Sequence, residues 1–254
     1  SAGTAVAVIN YIAQIFVPVE RLGMEIQTIQ SAVAGIHRID EFFALEEREE
    51  PCGKNGKPAD GRNVPFVEFR DVTFGYDEHT VLRHLSFKVM DGEQVTLAGR
   101  TGVGKSTIFK LLLGLYQPQS GEVLIHGVPA ADIRPEKRRK LFGYVEQSFH
   151  RVPGTVRDQI TLYDDSIGES SIRAAVKLTG LEEAIESLEE RYDTPCTPEL
   201  FSQGQWQLLS IVRATVAEPK MLLFDEMTAN LDAETEKAVL TALRRVARDR
   251  TVIS

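Results

Sequence analysis

From Ser1 to Val19 the chain runs nineteen residues without a charge, rich in Ala, Val and Ile. That is close to the roughly 20 residues that cross a bilayer, although Thr4, Asn10, Gln14 and Pro18 dilute the run and leave a buried core helix as the competing reading. Beyond it Leu22, Ile26, Ile29, Val33, Ile36, Ile39 and Phe43 recur at steps of four and three. This amphipathic stripe would carry one helix roughly 30 Å further at about 1.5 Å per residue. Its last turns hold Asp40, Glu41, Glu46, Glu47, Glu49 and Glu50, a solvated face with no chemistry assigned. Residues 49–63, with three Gly and two Pro between 51 and 63, read as a linker. A second domain is expected from Val64 onward, where the period changes to two: Phe66 to Phe74 and Val81 to Val89 alternate as an antiparallel pair around a turn near Asp77. Gln94 to Ala98 predicts a buried strand and Ile108 to Leu115 a helix. Ser171 to Thr179 and Glu182 to Glu190 predict further helices, Trp206 to Val216 the body of another running to Glu218-Pro219, and Met221 to Phe224 a buried strand. The fold class is α/β.

The 254 residues suit one or two domains, and 43% hydrophobic with 26% charged residues is ordinary globular composition. A net charge of −8 argues against a protein that coats nucleic-acid phosphates. Cys52 and Cys196 lie far apart without a CxxC or His partner, so neither a disulfide framework nor a zinc site is indicated. Ser1 is not Met and no basic segment precedes the apolar run, which sets the expectation that the chain starts inside a larger protein.

The Gln94–Ala98 strand leads into Gly99-Arg100-Thr101-Gly102-Val103-Gly104-Lys105-Ser106-Thr107 and then a helix, which is G-x-x-x-x-G-K-[ST] in its required context. The glycines let backbone N–H groups turn inward at phosphate, Lys105 neutralises β/γ-phosphate charge, and the Ser106 hydroxyl can ligate Mg²⁺. A chance match in this length is on the order of one in a hundred at ordinary Gly usage. Met221-Leu-Leu-Phe-Asp225-Glu226 ends a buried strand in two carboxylates: Asp225 can hold Mg²⁺ through water, and Glu226 can polarise an attacking water. Between the motifs Phe201-Ser202-Gln203-Gly204-Gln205 opens a helix that Ser202 would N-cap.

Phosphate loop, capped S-x-G-Q helix and apolar-DE strand, in that order, resemble the ATP-binding cassette (ABC) ATPases over residues 64–254. The resemblance implies a P-loop NTPase cassette with a RecA-like core, an antiparallel β subdomain, and a helical subdomain over residues 150–200. It implies ATP and Mg²⁺ as cofactors, with Tyr76 stacking on adenine and Gln147 reaching the metal and the attacking water. The metal ligands would be Ser106, Gln147 and Asp225. Ala229-Asn-Leu-Asp232 resembles the loop that crosses to a second cassette. Two cassettes would sandwich ATP head to tail, Ser202, Gln203, Gly204 and Gln205 meeting the ATP of the partner subunit. The usual motif is L-S-G-G-Q; here Phe201 replaces Leu and Gln203 replaces the first Gly, adding bulk near the contact. The basic run Arg134 to Lys140 resembles a surface helix turn of the family.

A membrane-like helix entering the cassette on one polypeptide resembles exporter-type half-transporters, in which residues 1–48 would be the end of the last transmembrane helix and its cytoplasmic extension. The implied setting is a multi-pass protein of the cell membrane with its cassette on the cytoplasmic side. Its partners would be a second half-transporter, identical or not, the lipid bilayer, and a transported substrate left open among drugs, lipids and peptides. Nucleic acid is not among them. Soluble ABC ATPases are the alternative, and a phosphotransfer kinase explains neither residues 201–205 nor the missing acceptor site. The resemblance also places a γ-phosphate-contacting histidine beyond the strand that begins at Arg250-Thr-Val-Ile-Ser254. None of His37, His79, His84, His126 or His150 is placed to substitute, which predicts poor hydrolysis by residues 64–254 alone.

Overall fold

The computed structural model describes Tyr11, Gln14, residues 24–40, Phe43, and residues 64–77, 79–100, 102–146, 149–225 and 232–254, apart from the side chain of Glu234. It separates into two units, Ser1–Glu50 and Pro51–Ser254. In the first, helical backbone (α1) runs through residues 24–40. The stripe expected from periodicity is there, with Ile26, Ile29, Val33, Ile36 and Ile39 exposed, and Phe43 exposed beyond it. Among the described residues no helix is long and apolar enough to cross a membrane. Apart from Tyr11 and Gln14, the Ser1–Val19 run lies outside them, as do Leu22 and residues 49–63.

The second unit is built on two sheets. Strands β1 (Val67–Tyr76), β2 (His79–Val89), β4 (Ser120–Ile125) and β5 (Val128–Pro129) form an antiparallel sheet in the order β2-β1-β4-β5. β3 (Gln94–Val95), β6 (Phe142–Val145), β7 (Met221–Phe224) and β8 (Thr251–Ile253) form a parallel sheet in the order β3-β8-β7-β6. The strand expected over 94–98 is regular over Gln94–Val95. Gln94 and Val95 pair with Val252 and Ile253, and bonding continues only to Leu97, whose N–H donates to Ser254 O at 2.6 Å.

Helix α2 (Lys105–Leu112) lies in the core between the sheets, burying Ile108, Phe109, Leu111 and Leu112 with Phe66, Phe69 and Phe74 of the antiparallel part and Phe142, Met221, Leu223 and Ile253 of the parallel part. It begins three residues earlier than periodicity predicts and ends before Gly114, whose φ of +66° breaks the helix. Helix α3 (Pro135–Leu141) is the basic surface turn. Helices α4 (Val156–Thr161), α5 (Glu169–Thr179) and α6 (Glu182–Glu186) pack around Val156, Ile160, Ile172, Val176 and Ile185. The helix expected over 182–190 stops at Glu186, where the chain turns into a 3₁₀ segment at Arg191–Asp193.

Helix α7 (Gln203–Thr215) has two apolar faces. Leu209, Val212 and, just past its end, Val216 join the helical cluster, while Ile211 and Ala214 join a cluster with Val145, Leu222 and Phe224 and with Val239, Leu243 and Val246 of α8 (Ala233–Ala247). It stops short of Glu218 because Pro219 follows, and Glu218 takes a φ of +51°.

At the start of β1 the Glu68 carboxylate accepts from Arg70 Nη2 at 2.8 Å and faces Lys88 Nζ at 2.9 Å, its cross-strand partner. Hydrogen bonds from Arg70 and then Lys88 bring its pKa from 4.5 down to about 2. A carboxyl lowered on folding stabilises the fold above its unfolded value, and that contribution fades as pH falls toward the folded one. Glu68→Gln is therefore expected to lower the unfolding temperature near neutral pH. The difference from wild type should vanish as melting curves are taken down to about pH 2.

Candidate active site

The phosphate loop leaves β3 and closes on α2. Gly102 and Gly104 have φ of +85° and +106°, and a Cβ on Gly104 would lie 2.8 Å from Val81 Cγ1 and 2.9 Å from Leu82 Cδ2, so β2 and the backbone both demand glycine there. Lys105 reaches back over the loop and donates from Nζ to Gly99 O at 3.0 Å. The N-cap of α2 is Gly104, which offers no side-chain cap, and the first turn carries no acid. Its terminal N–H groups and the positive end of its dipole therefore favour an anion. Ser106 is exposed at this end and Thr107 buried. Arg100 lies in the loop and its carbonyl accepts from Val103 N–H at 3.3 Å. Thr101 lies outside the described residues.

Tyr76, the last residue of β1, is drawn to the same helix: its hydroxyl lies 3.4 Å from Thr107 Oγ1 and the Lys110 ammonium sits 5.6 Å from its ring centroid. Phe74 and Tyr116 meet it edge-on at 5.1 and 5.4 Å. An aromatic ring thus stands beside the start of α2.

Asp225, directly after β7, is buried at 8% exposure. Its N–H donates to Val145 O at 3.1 Å, and its Oδ2 accepts from the Tyr144 hydroxyl at 3.1 Å. Burial first, and then the Asp225 carboxylate, push the Tyr144 hydroxyl well above the usual tyrosine range, so it stays a donor. The Ser106 hydroxyl and Asp225 carboxylate are hard oxygen donors of the kind Mg²⁺ takes alongside phosphate and water. Among the described residues there is no cluster of three or more His, Cys, Asp or Glu that could hold a metal ion. Gln147, Glu226 and residues 229–231 lie outside the described residues.

The expected cap on α7 is present as a full capping box: Ser202 Oγ accepts from Gln205 N–H at 3.3 Å, and Ser202 N–H donates to Gln205 Oε1 at 2.9 Å. The box uses the Ser202 hydroxyl and the Gln205 Oε1 as acceptors only; the hydroxyl hydrogen and the Gln205 side-chain NH₂ are not part of it. Gln203 is exposed at the first helical position. Phe201, where Leu is usual, is buried edge-on against Trp206 at 5.2 Å. Gly204 brings α7 against the start of α8: a Cβ there would meet Thr235 Cγ2 at 2.3 Å. Asp232 Oδ1 accepts from Thr235 N–H at 3.1 Å, so Asp232 begins that neighbouring helix.

Sequence reasoning missed Tyr144, Thr235 and Arg213. The Arg213 guanidinium, on α7, donates from Nε to Gln159 O at 2.6 Å, from Nη1 to His150 O at 2.7 Å and from Nη2 to Gln159 Oε1 at 3.2 Å. It also lies 4.0 Å from the Phe149 ring centroid, and that ring packs on Trp206 at 5.1 Å. The residues two and three positions past Gln147 are thereby fastened to the S-x-G-Q helix. The available signal was a lone Arg in an otherwise apolar and small helical stretch, Leu208 to Val216.

A family described as ABC transporter matches residues 82–229. The chain belongs to the ABC transporter family. Similar relatives include the ABC transporter ATP-binding protein YfiC of Bacillus subtilis, 36% identical over 256 residues that cover 100% of this chain and 42% of the relative. An ATM1-type heavy metal exporter of Novosphingobium aromaticivorans is 35% identical over 257 residues, 100% of this chain and 42% of that protein. A mycobactin import ATP-binding/permease protein, IrtB, of Mycolicibacterium smegmatis is 37% identical over 254 residues, 99% of this chain and 43% of the relative. The structure of a bacterial Atm1-family ABC exporter with ATP bound superposes with a TM-score of 0.71 at 35% identity, over 100% of this chain and 45% of that one. The chain thus spans less than half the length of these relatives.

The chain has the ABC cassette fold, and membership of the family implies nucleotide binding. Of the residues expected in the ABC site, the structure gathers Tyr76, Gly99, Lys105, Ser106 and Thr107 around α2, and Ser202, Gly204 and Asp232 at the junction of α7 and α8. The close approach at Gly204 generates a test. Alanine there gains about 1 kcal/mol of helix propensity, but overpacking against Thr235 costs about 1–3 kcal/mol. Gly204→Ala is expected to be destabilised in denaturant unfolding. Thr235→Ser, which removes the opposing methyl, should recover the loss in the double variant. A double variant no more stable than Gly204→Ala would place the strain elsewhere.

Proposed function

We propose that residues 64–254 belong to a cassette that binds and hydrolyses ATP with Mg²⁺ between two head-to-tail copies, and that hydrolysis drives export through a membrane domain of which residues 1–48 are the last part. The observation that carries this reading is the loop whose glycine backbone, Lys105 and uncapped α2 N-terminus converge on one anion site, with Tyr76 beside it. The likeness to an ATP-bound exporter across the whole chain supports it.

In this reading Tyr76 stacks on the base, and the loop N–H groups and Lys105 hold the β- and γ-phosphates. Ser106, Asp225 and Gln147 would hold Mg²⁺, which neutralises phosphate charge when bound. Glu226 accepts a proton from the attacking water as the oxygen–γ-phosphorus bond forms and the bond to the bridging oxygen breaks. Ser202, Gly204 and Gln205 of one cassette donate to the γ-phosphate held by the other, through the donors the capping box leaves unused. Asp232 belongs to the loop that meets the second cassette. The reading places the full-length protein in the cell membrane as a multi-pass half-transporter, cassette on the cytoplasmic side.

Glu226→Gln in the full-length protein is expected to reduce steady-state phosphate release by about 10²- to 10⁴-fold with ATP binding intact. An unchanged rate would remove Glu226 as the base. Direction is read in liposomes with the cassette facing outward. ATP should load a fluorescent amphiphilic probe into the lumen, and Glu226→Gln should abolish loading. ATP-driven depletion of preloaded probe would mean import, the activity for which the Mycolicibacterium relative is named.

A further inference from the structure

We propose that Tyr144 is a positioning residue for the metal site: its hydroxyl holds the Asp225 carboxylate in the orientation that binds Mg²⁺. The inference rests on the proposed role of Asp225 as a metal ligand and adds a residue that neither sequence motif contains.

Parallel pairing puts Tyr144 opposite Leu223 and Val145 opposite Phe224. Side chains alternate along a strand, so Phe142 and Tyr144 of β6 share a face with Met221 and Leu223 of β7. That face packs against the core containing α2, whereas Val145, Leu222 and Phe224 pack against α7 and α8. Asp225 continues the parity of Leu223, and so its carboxylate emerges on the phosphate-loop side, where Tyr144 already stands.

The tyrosine is held at both ends. Its ring packs 6.0 Å from that of Phe109, three residues beyond Ser106 on α2, and its hydroxyl donates to Asp225 Oδ2 at 3.1 Å. The Asp225 N–H is bound by Val145 O at 3.1 Å, which anchors the backbone to the same strand. One aromatic side chain therefore bridges the helix that carries the Ser106 hydroxyl and the strand end that carries the carboxylate.

A carboxylate offers about four lone-pair sites on two oxygens. The Tyr144 hydroxyl occupies one on Oδ2 and stops rotation of the group. Mg²⁺ tolerates little departure from octahedral geometry, so a carboxylate held at a set angle binds it more tightly than a rotating one.

The test separates metal affinity from nucleotide affinity, using Mn²⁺ as the probe. Full-length wild type, Tyr144→Phe, Asp225→Asn and the double variant are loaded with a non-hydrolysable imido analogue of ATP. Bound Mn²⁺ is then read from loss of the free-ion electron paramagnetic resonance signal. Analogue affinity is measured separately in excess chelator. Tyr144→Phe keeps the ring and its packing on Phe109 and is expected to weaken Mn²⁺ binding by about 10- to 100-fold. Its metal-free analogue affinity should stay within about twofold of wild type. In the Asp225→Asn background the same change should add nothing, because its only route to the metal is gone. If Tyr144→Phe binds Mn²⁺ like wild type while Asp225→Asn is impaired, the hydrogen bond is structural and the proposal is overturned. If Asp225→Asn also binds like wild type, the metal assignment of Asp225 itself fails and takes the proposal with it.

Discussion

The half-buried Arg213 guanidinium holds together parts of the cassette that lie far apart in sequence. Burial brings its pKa down to about 10, with Glu146 opposing only part of that shift, so the charge is balanced chiefly by the carbonyl oxygens of His150 and Gln159 and by the face of Phe149. Gln159 in turn bonds Val152 on both sides, N–H to Oε1 at 3.0 Å and Nε2 to O at 2.6 Å. Removing the guanidinium would take the Nε donor from the carbonyl of the buried Gln159, at about 1–3 kcal/mol for an acceptor left unpaired. It would also release the segment that follows Gln147 from α7.

That fastening matters because α7 belongs to two cores at once. One face is packed with the helical cluster and the other with β6, β7 and α8. Its N-terminus carries the Ser202 capping box and its flank, at Gly204, fits against Thr235. A displacement of the helical part therefore moves Ser202, Gln205 and the Phe149–His150 segment together. Helix α2 plays the complementary role, with the phosphate loop at its start, Tyr76 against its first turns and Phe109 under Tyr144.

What was legible in the sequence was local. The phosphate loop, the Ser202 cap, the antiparallel pair and the buried strand ending at Asp225 all depend on residues within a few positions of one another, so residue type and spacing suffice. Helix ends are less legible: the apolar period starts at Ile108 whereas the helix begins at Lys105, because a polar Lys-Ser-Thr turn carries no apolar period. Tyr144, Thr235 and Arg213 were invisible for another reason. Their partners sit 81 positions away for Asp225 and 54 for Gln159, or on a different helix for Gly204. A tyrosine between Gly143 and Val145 reads as ordinary strand until the neighbouring strand is known. Periodicity likewise predicts the striped helix seen over residues 24–40, but not what covers the stripe.

Among the described residues β3 pairs only with β8, at the far end of the sequence. Thr96 and Ser254, which touch across that ladder, are 158 positions apart. During synthesis at about 5–20 residues per second, the strand that supports the phosphate loop waits roughly ten to thirty seconds for β8. The antiparallel sheet, made from residues 67–129, is by then already on hand. Nucleotide cannot guide the early steps on the ribosome, since the sheet beneath its pocket does not yet exist. The cassette must assemble first around α2 and only afterwards acquire its ligand, with an open strand edge exposed to chaperones in the interval.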